Sequence, residues 1–155
     1  LRILIYKYER EENKKSIFDF YLKNSKKINN WDLVDLSAPN IVGNYLINKD
    51  KKILYKLANS KNLWEKRIYI ISTFTFIRNS KFEDTLKIWK ILLKDKHDLI
   101  HKAVGWMLRE VGKRDKKILK KFLKENYNKI PRMTLRYAIE KFDEKERRMW
   151  LENKI

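Results

Sequence analysis

The sequence predicts an all-α fold, an α-solenoid of stacked helix pairs with a concave, basic face. Three observations lead there. Among 155 residues there are only 3 glycines and 2 prolines, too few to build many tight hairpins. Apolar residues recur with helical period almost from end to end. Aspartate-headed apolar patterns also repeat at steps of 34 and 31 residues, a length that holds two helices. A helix bundle is the alternative, and the regular spacing favours the solenoid.

Taken in order, the periodicity predicts helices near 1–10, 12–24, 30–37, 40–48, 50–59, 63–78, 83–94, 98–112, 115–126, 131–141 and 143–153. The opening LRILIYKYEREE has neither an initiator Met nor an N-cap and reads as the middle of an amphipathic helix. The expectation is that an N-terminal piece of the natural protein is missing. Pro39 and Pro131 suit first-turn positions, where a missing N–H costs nothing. Gly112 suits a helix end. Asp50, Asp84 and Asp115 each stand where they can cap a first helix. Asp50 leads Ile53, Leu54, Leu57 and Ala58; Asp115 leads Ile118, Leu119, Phe122 and Leu123 at the same offsets. Asp84 leads Ile88, Ile91 and Leu92. Between them lie the second helices, LWEKRIYIISTFTFIR, LIHKAVGWMLREVGK and PRMTLRYAIEKF, which should line the concave face.

The length suffices for one domain, residues 1–155, with a real core. The 38 Lys and Arg against 20 Asp and Glu leave a net charge of +18. Such an excess repels itself and calls for a polyanion, nucleic acid or an acidic membrane face. A lysine-rich genomic bias is the plain alternative. With no cysteine there is no disulfide and no thiolate metal site, which fits a reducing, cytoplasmic setting. No signal peptide stands out, nor any apolar run long enough for a bilayer. Residues 113–155 carry 15 Lys and Arg against 7 acids, a basic face of which part could track phosphates.

Four residues stand out chemically. Trp31 and Asp35, spaced i and i+4, share a helix face in NNWDLVDLSAP. They are either a core anchor and a cap, or an exposed indole beside a carboxylate. A carboxylate among so many cations repels phosphate, so binding alone would not select it. It makes sense if a cation such as an oxocarbenium-like sugar forms nearby. If both residues were fully buried, that reading would fail. Arg67 sits at the edge of an apolar stripe, paired to an acid or aimed at phosphate. Trp106 lies off the stripe Ile100, Ala103, Val104, Met107 and Val111, on a face with Lys102, Arg109 and Lys113. It is either a nucleic-acid contact or a wedge between repeats. The pair His97 and His101 mimics a zinc-protease motif, but the acid between them is Asp98 and no third His exists. His97 and Asp98 are expected to open a helix instead.

The segments WDLVDLSAPNIVGNYL, LWEKRIYIISTFTFIRNSKFEDTLKI, DLIHKAVGWMLREVGKRD and PRMTLRYAIEKF resemble the AlkD family of DNA alkylation repair proteins, over nearly the whole chain. That resemblance implies HEAT-like repeats, with further helices before residue 1. It implies a monofunctional DNA glycosylase that hydrolyses the N-glycosidic bond of 3-methyladenine and 7-methylguanine, with no metal or cofactor and no base-flipping pocket. It assigns the lesion's deoxyribose to Trp31, Asp35 and Trp106, with Arg67 beside them. The partner would be double-stranded DNA with alkylated bases, met by a monomer. Arg67 would hold a phosphate near the lesion, and Lys102, Arg109 and Arg136, on second helices, are the further expected phosphate contacts. The alternative is a non-catalytic helical-repeat module that binds DNA or RNA through the same face.

Overall fold

The computed structural model describes residues 2–10, 12–92 and 95–154. The described residues form helices joined by turns, with no strand among them. The chain divides into two compact units, Leu1–Asn79 and Ser80–Ile155.

In the first unit the helices are α1 (Arg2–Arg10), α2 (Lys14–Lys23), α3 (Trp31–Ser37), α4 (Asn44–Leu46), α5 (Lys52–Ala58) and α6 (Leu63–Arg78). Asparagines start three of them. Asn13 accepts from the Ser16 amide, Asn30 from Asp32, and Asn62 from both Trp64 and Glu65. Each such cap is worth about 1 kcal/mol. Helix α6 is the pillar of this unit. Ile68, Tyr69, Ile70, Ile71, Phe76 and Ile77 are buried, and so are Glu65, Arg67, Ser72, Thr73 and Thr75, so the helix is enclosed nearly all round. It packs against α5, α3 and the segment Ala38–Gly43.

That segment corrects one expectation. Pro39 does not begin a new helix. The chain runs from α3 through a π-helical stretch, Ala38–Gly43, straight into α4. Proline has no N–H to give the carbonyl four residues back and its ring crowds that carbonyl. A widened turn relieves both, so the helix bulges instead of stopping. Gly43 then lies so close to α6 that a Cβ there would sit 2.5 Å from the Ser72 carbonyl oxygen.

In the second unit the helices are α7 (Glu83–Leu92), α8 (Asp98–Arg114), α9 (Lys116–Asn126), α10 (Arg132–Ala138) and α11 (Glu144–Leu151). His97 caps α8 through the Leu99 amide, so it opens that helix as expected. Asp115 caps α9 through the Ile118 amide. Asp50 accepts from the Lys52 amide one residue ahead of α5's cap position. Asp84 is not at the cap position of α7: it is that helix's second residue, within the first turn, where it complements the dipole. Gly112 does not end α8, which continues to Arg114; its missing Cβ makes room for Leu119 of α9. Pro131 stands one place before α10. Helices α8 and α10 meet at Gly105, where a Cβ would lie 2.7 Å from the Thr134 carbonyl oxygen.

Candidate functional site

Asn30 fixes the start of α3, and Trp31 follows as its first residue. Its side chain has little to lie against there and is 53% exposed. One turn on, the Asp35 side chain keeps 18% of its surface in solvent. Neither is fully buried, so burial does not exclude the carboxylate-and-indole reading. Val34 and Ser37 of α3 are buried and anchor it. Leu33 and Leu36, although apolar, are exposed.

Arg67 comes from α6, one turn after its capped start, and is nearly buried at 5% exposure. Of its two expected situations, it is paired to an acid. Its Nε donates to Asp35 Oδ1 at 2.9 Å and its Nη2 to Oδ2 at 2.7 Å. This parallel two-bond geometry fixes the carboxylate plane as well as its place. Glu65, two residues earlier and also buried, does not compete for the guanidinium. Its oxygens accept from Ser25 Oγ at 2.7 Å and Ser60 Oγ at 2.5 Å. A carboxylate offers about four lone-pair positions, and Arg67 takes two. The lone pairs of Asp35 that Arg67 leaves can meet a water or a developing cation.

The other predicted residues belong to the second unit. Ile100, Ala103, Val104, Met107 and Val111 form the buried stripe of α8, and Trp106 is half-buried beside it. Lys102 is half-buried and Arg136, on α10, is exposed; neither makes an ion pair with a described residue. Arg109 is engaged: Nη1 pairs with Glu140, and Nε lies 4.0 Å from Glu110.

Glu110 has one signal in the sequence, its i, i+3 and i, i+4 spacing to Lys113 and Arg114 on a helix. It is buried, with Lys113 Nζ at 2.6 Å and Arg114 Nη1 at 3.3 Å. Burial pushes its carboxyl up, but Lys113, Arg114 and Arg109 outweigh that and hold it below the usual glutamate value. Glu146 of α11 is similar: burial opposes ionisation, and Lys116 and Lys120 of α9, at 2.6 and 2.5 Å, prevail and lower it.

No described helix is long and apolar enough to cross a membrane. No curated protein and no solved structure matches the chain. A family model described as DNA alkylation repair enzyme does match, over residues 1–142, and the chain belongs to that family.

Proposed function

We propose that this protein is a monofunctional DNA glycosylase that hydrolyses the N-glycosidic bond of cationic alkylated purines, such as 3-methyladenine and 7-methylguanine, in double-stranded DNA. The observation that carries the reading is the Asp35 carboxylate, gripped by Arg67 and still open to solvent beside an exposed Trp31. The alkylated base is already positive. It leaves with the bonding electron pair as a neutral base, so no general acid is required. Positive charge passes to the sugar, where the Asp35 carboxylate stabilises it and takes a proton from the attacking water. The Trp31 ring favours the same cation through its negative face. The base need not be drawn into a pocket.

The reading takes residues 1–155 as one HEAT-like repeat domain, acting as a monomer, whose basic surface meets the duplex. Lys102 and Arg136 are the better phosphate contacts, since Arg109 already serves two carboxylates. Trp106 is the second lesion-facing indole that the family resemblance assigns. Arg67 acts here chiefly by orienting Asp35. A second reading has one observation in its favour: both Asp35 oxygens are used by Arg67, as in a purely structural pair. In that case the chain is a non-catalytic module binding DNA or RNA.

Incubation with duplex DNA carrying 7-methylguanine, with free base quantified, separates the two. The expected result is release by the wild type and a loss of about 10²-fold or more in Asp35→Asn, with DNA affinity held or raised. Tight, salt-sensitive binding without release by the wild type sinks the glycosylase reading.

A further inference from the structure

We propose that Thr75 is a positioning residue for Asp35: by holding the widened turn that follows, its hydroxyl decides where the carboxylate meets Arg67. The kinetic consequence rests on the glycosylase reading; the positioning itself rests on geometry.

The helical run from α3 through Ala38–Gly43 into α4 is continuous. Nine residues of ordinary α-helix would put Gly43 about 180° around the axis from Val34. Both are nonetheless buried, because the widened turn brings Gly43 round to the packed side. A π turn is sparsely populated and needs external support. Helix α6 supplies it. Thr75 Oγ1, buried, donates to the Pro39 carbonyl at 2.7 Å. The Gly43 backbone is pressed against the Ser72 carbonyl and the same threonine. On the other side, Ser37 Oγ donates to the Leu33 carbonyl at 2.5 Å and pairs with the Tyr21 hydroxyl at 2.8 Å.

So α6 grips one helical run at two points, eight residues or about 12 Å apart along its axis. Arg67 holds the Asp35 side chain, and Thr75 holds the Pro39 carbonyl. If the turn narrowed to α, the half carrying Trp31 and Asp35 would swing by about one residue's arc, ~100°, relative to the half fixed on Ser72 and Thr75. Asp35 would then leave Arg67.

Three variants test this. Thr75→Val keeps the shape and deletes the donor; Thr75→Ser keeps the donor; Pro39→Ala restores an N–H and lets the turn narrow without burying an orphaned carbonyl. The first readout is hydrogen exchange of the Arg67 Nε–H by NMR, since that proton sits on Asp35. The second is single-turnover release of 7-methylguanine, beside DNA Kd. Thr75→Val and Pro39→Ala are expected to lose the protected Nε–H signal and to slow release about tenfold or more at unchanged Kd. Thr75→Ser restores both. A protected Nε–H in both Thr75→Val and Pro39→Ala, or wild-type release rates in both, overturns the proposal. If Thr75→Val does not fold, Pro39→Ala decides. A wild type that releases no base, with the Nε–H still responding to these changes, leaves the positioning role standing and removes the glycosylase reading.

Discussion

The Asp35–Arg67 pair is more demanding than its two hydrogen bonds look. Arg67 has almost no solvent to fall back on, so a change that removes its partner leaves a buried guanidinium facing the wrong group. Fully buried pairs cost about 3–5 kcal/mol when broken this way; with Asp35 18% exposed, Asp35→Asn is expected to cost about 1–3 kcal/mol in urea unfolding. The activity loss in that variant must therefore be read well below its melting point. Arg67→Lys keeps the charge and loses the fork, so base release should fall about tenfold, with lower stability. A Lys variant with wild-type release would show that Arg67 acts as a point charge only. Ser80 offers a change in the opposite direction. It closes α6 with a φ of 57°, the left-handed region that a Cβ disfavours. Ser80→Gly is expected to raise stability by about 0.5–1 kcal/mol without touching base release.

At the scale of elements, most helices could be read from the sequence because their signals are local. The buried stripe of α8 and the Asp115-headed stripe of α9 are where periodicity puts them, and His97 opens α8. What could not be read depends on the neighbour across the interface. Pro39 is ordinarily a boundary; it sits inside a helical run because Thr75 and Ser72 of α6 are there to meet a widened turn. Gly112 looks like a terminator, yet its use is to admit Leu119. Asp84 stands two places past the cap position, a slippage that helix starts commonly show. The site divides in the same way. Trp31 and Asp35 were visible as an i, i+4 pair, and Arg67 as a cation at an apolar edge, but no local signal says that Arg67 and Asp35 meet across 32 residues of chain.

One element has its own pH dependence. Helix α11 is tied to α9 by Glu146 on Lys116 and Lys120. The folded Glu146 carboxyl is lowered from 4.5, so it binds protons less readily than in the unfolded chain. Its stabilisation is present above that value and is lost as pH falls through the lower folded one. Thermal melts between pH 5 and 3 should show a steeper loss in the wild type than in Glu146→Gln. Parallel curves would mean that the tie contributes nothing.

Across the whole molecule the +18 charge governs what the protein can meet. Much of it is locally compensated, as around Glu110 and Glu146, so charge count alone overstates what is open to a duplex. Lys102 and Arg136, outside any ion pair with described residues, are the ones expected to release counterions on binding. Changing either to Gln should reduce the slope of log K against log salt by about 0.9, whereas Lys116→Gln should leave it unchanged. Equal slopes in all three would place the duplex elsewhere.

The exposure of Trp31 also gives the protein its own optical probe. Of the five tryptophans, Trp89 and Trp150 are buried, Trp64 and Trp106 are half-buried, and Trp31 stands 53% in water. Intrinsic emission should therefore contain one red-shifted, acrylamide-quenchable component that Trp31→Phe removes. Stacking on a DNA base or sugar would quench that component first. The site would then report its own occupancy in an unlabelled protein, on the timescale of mixing.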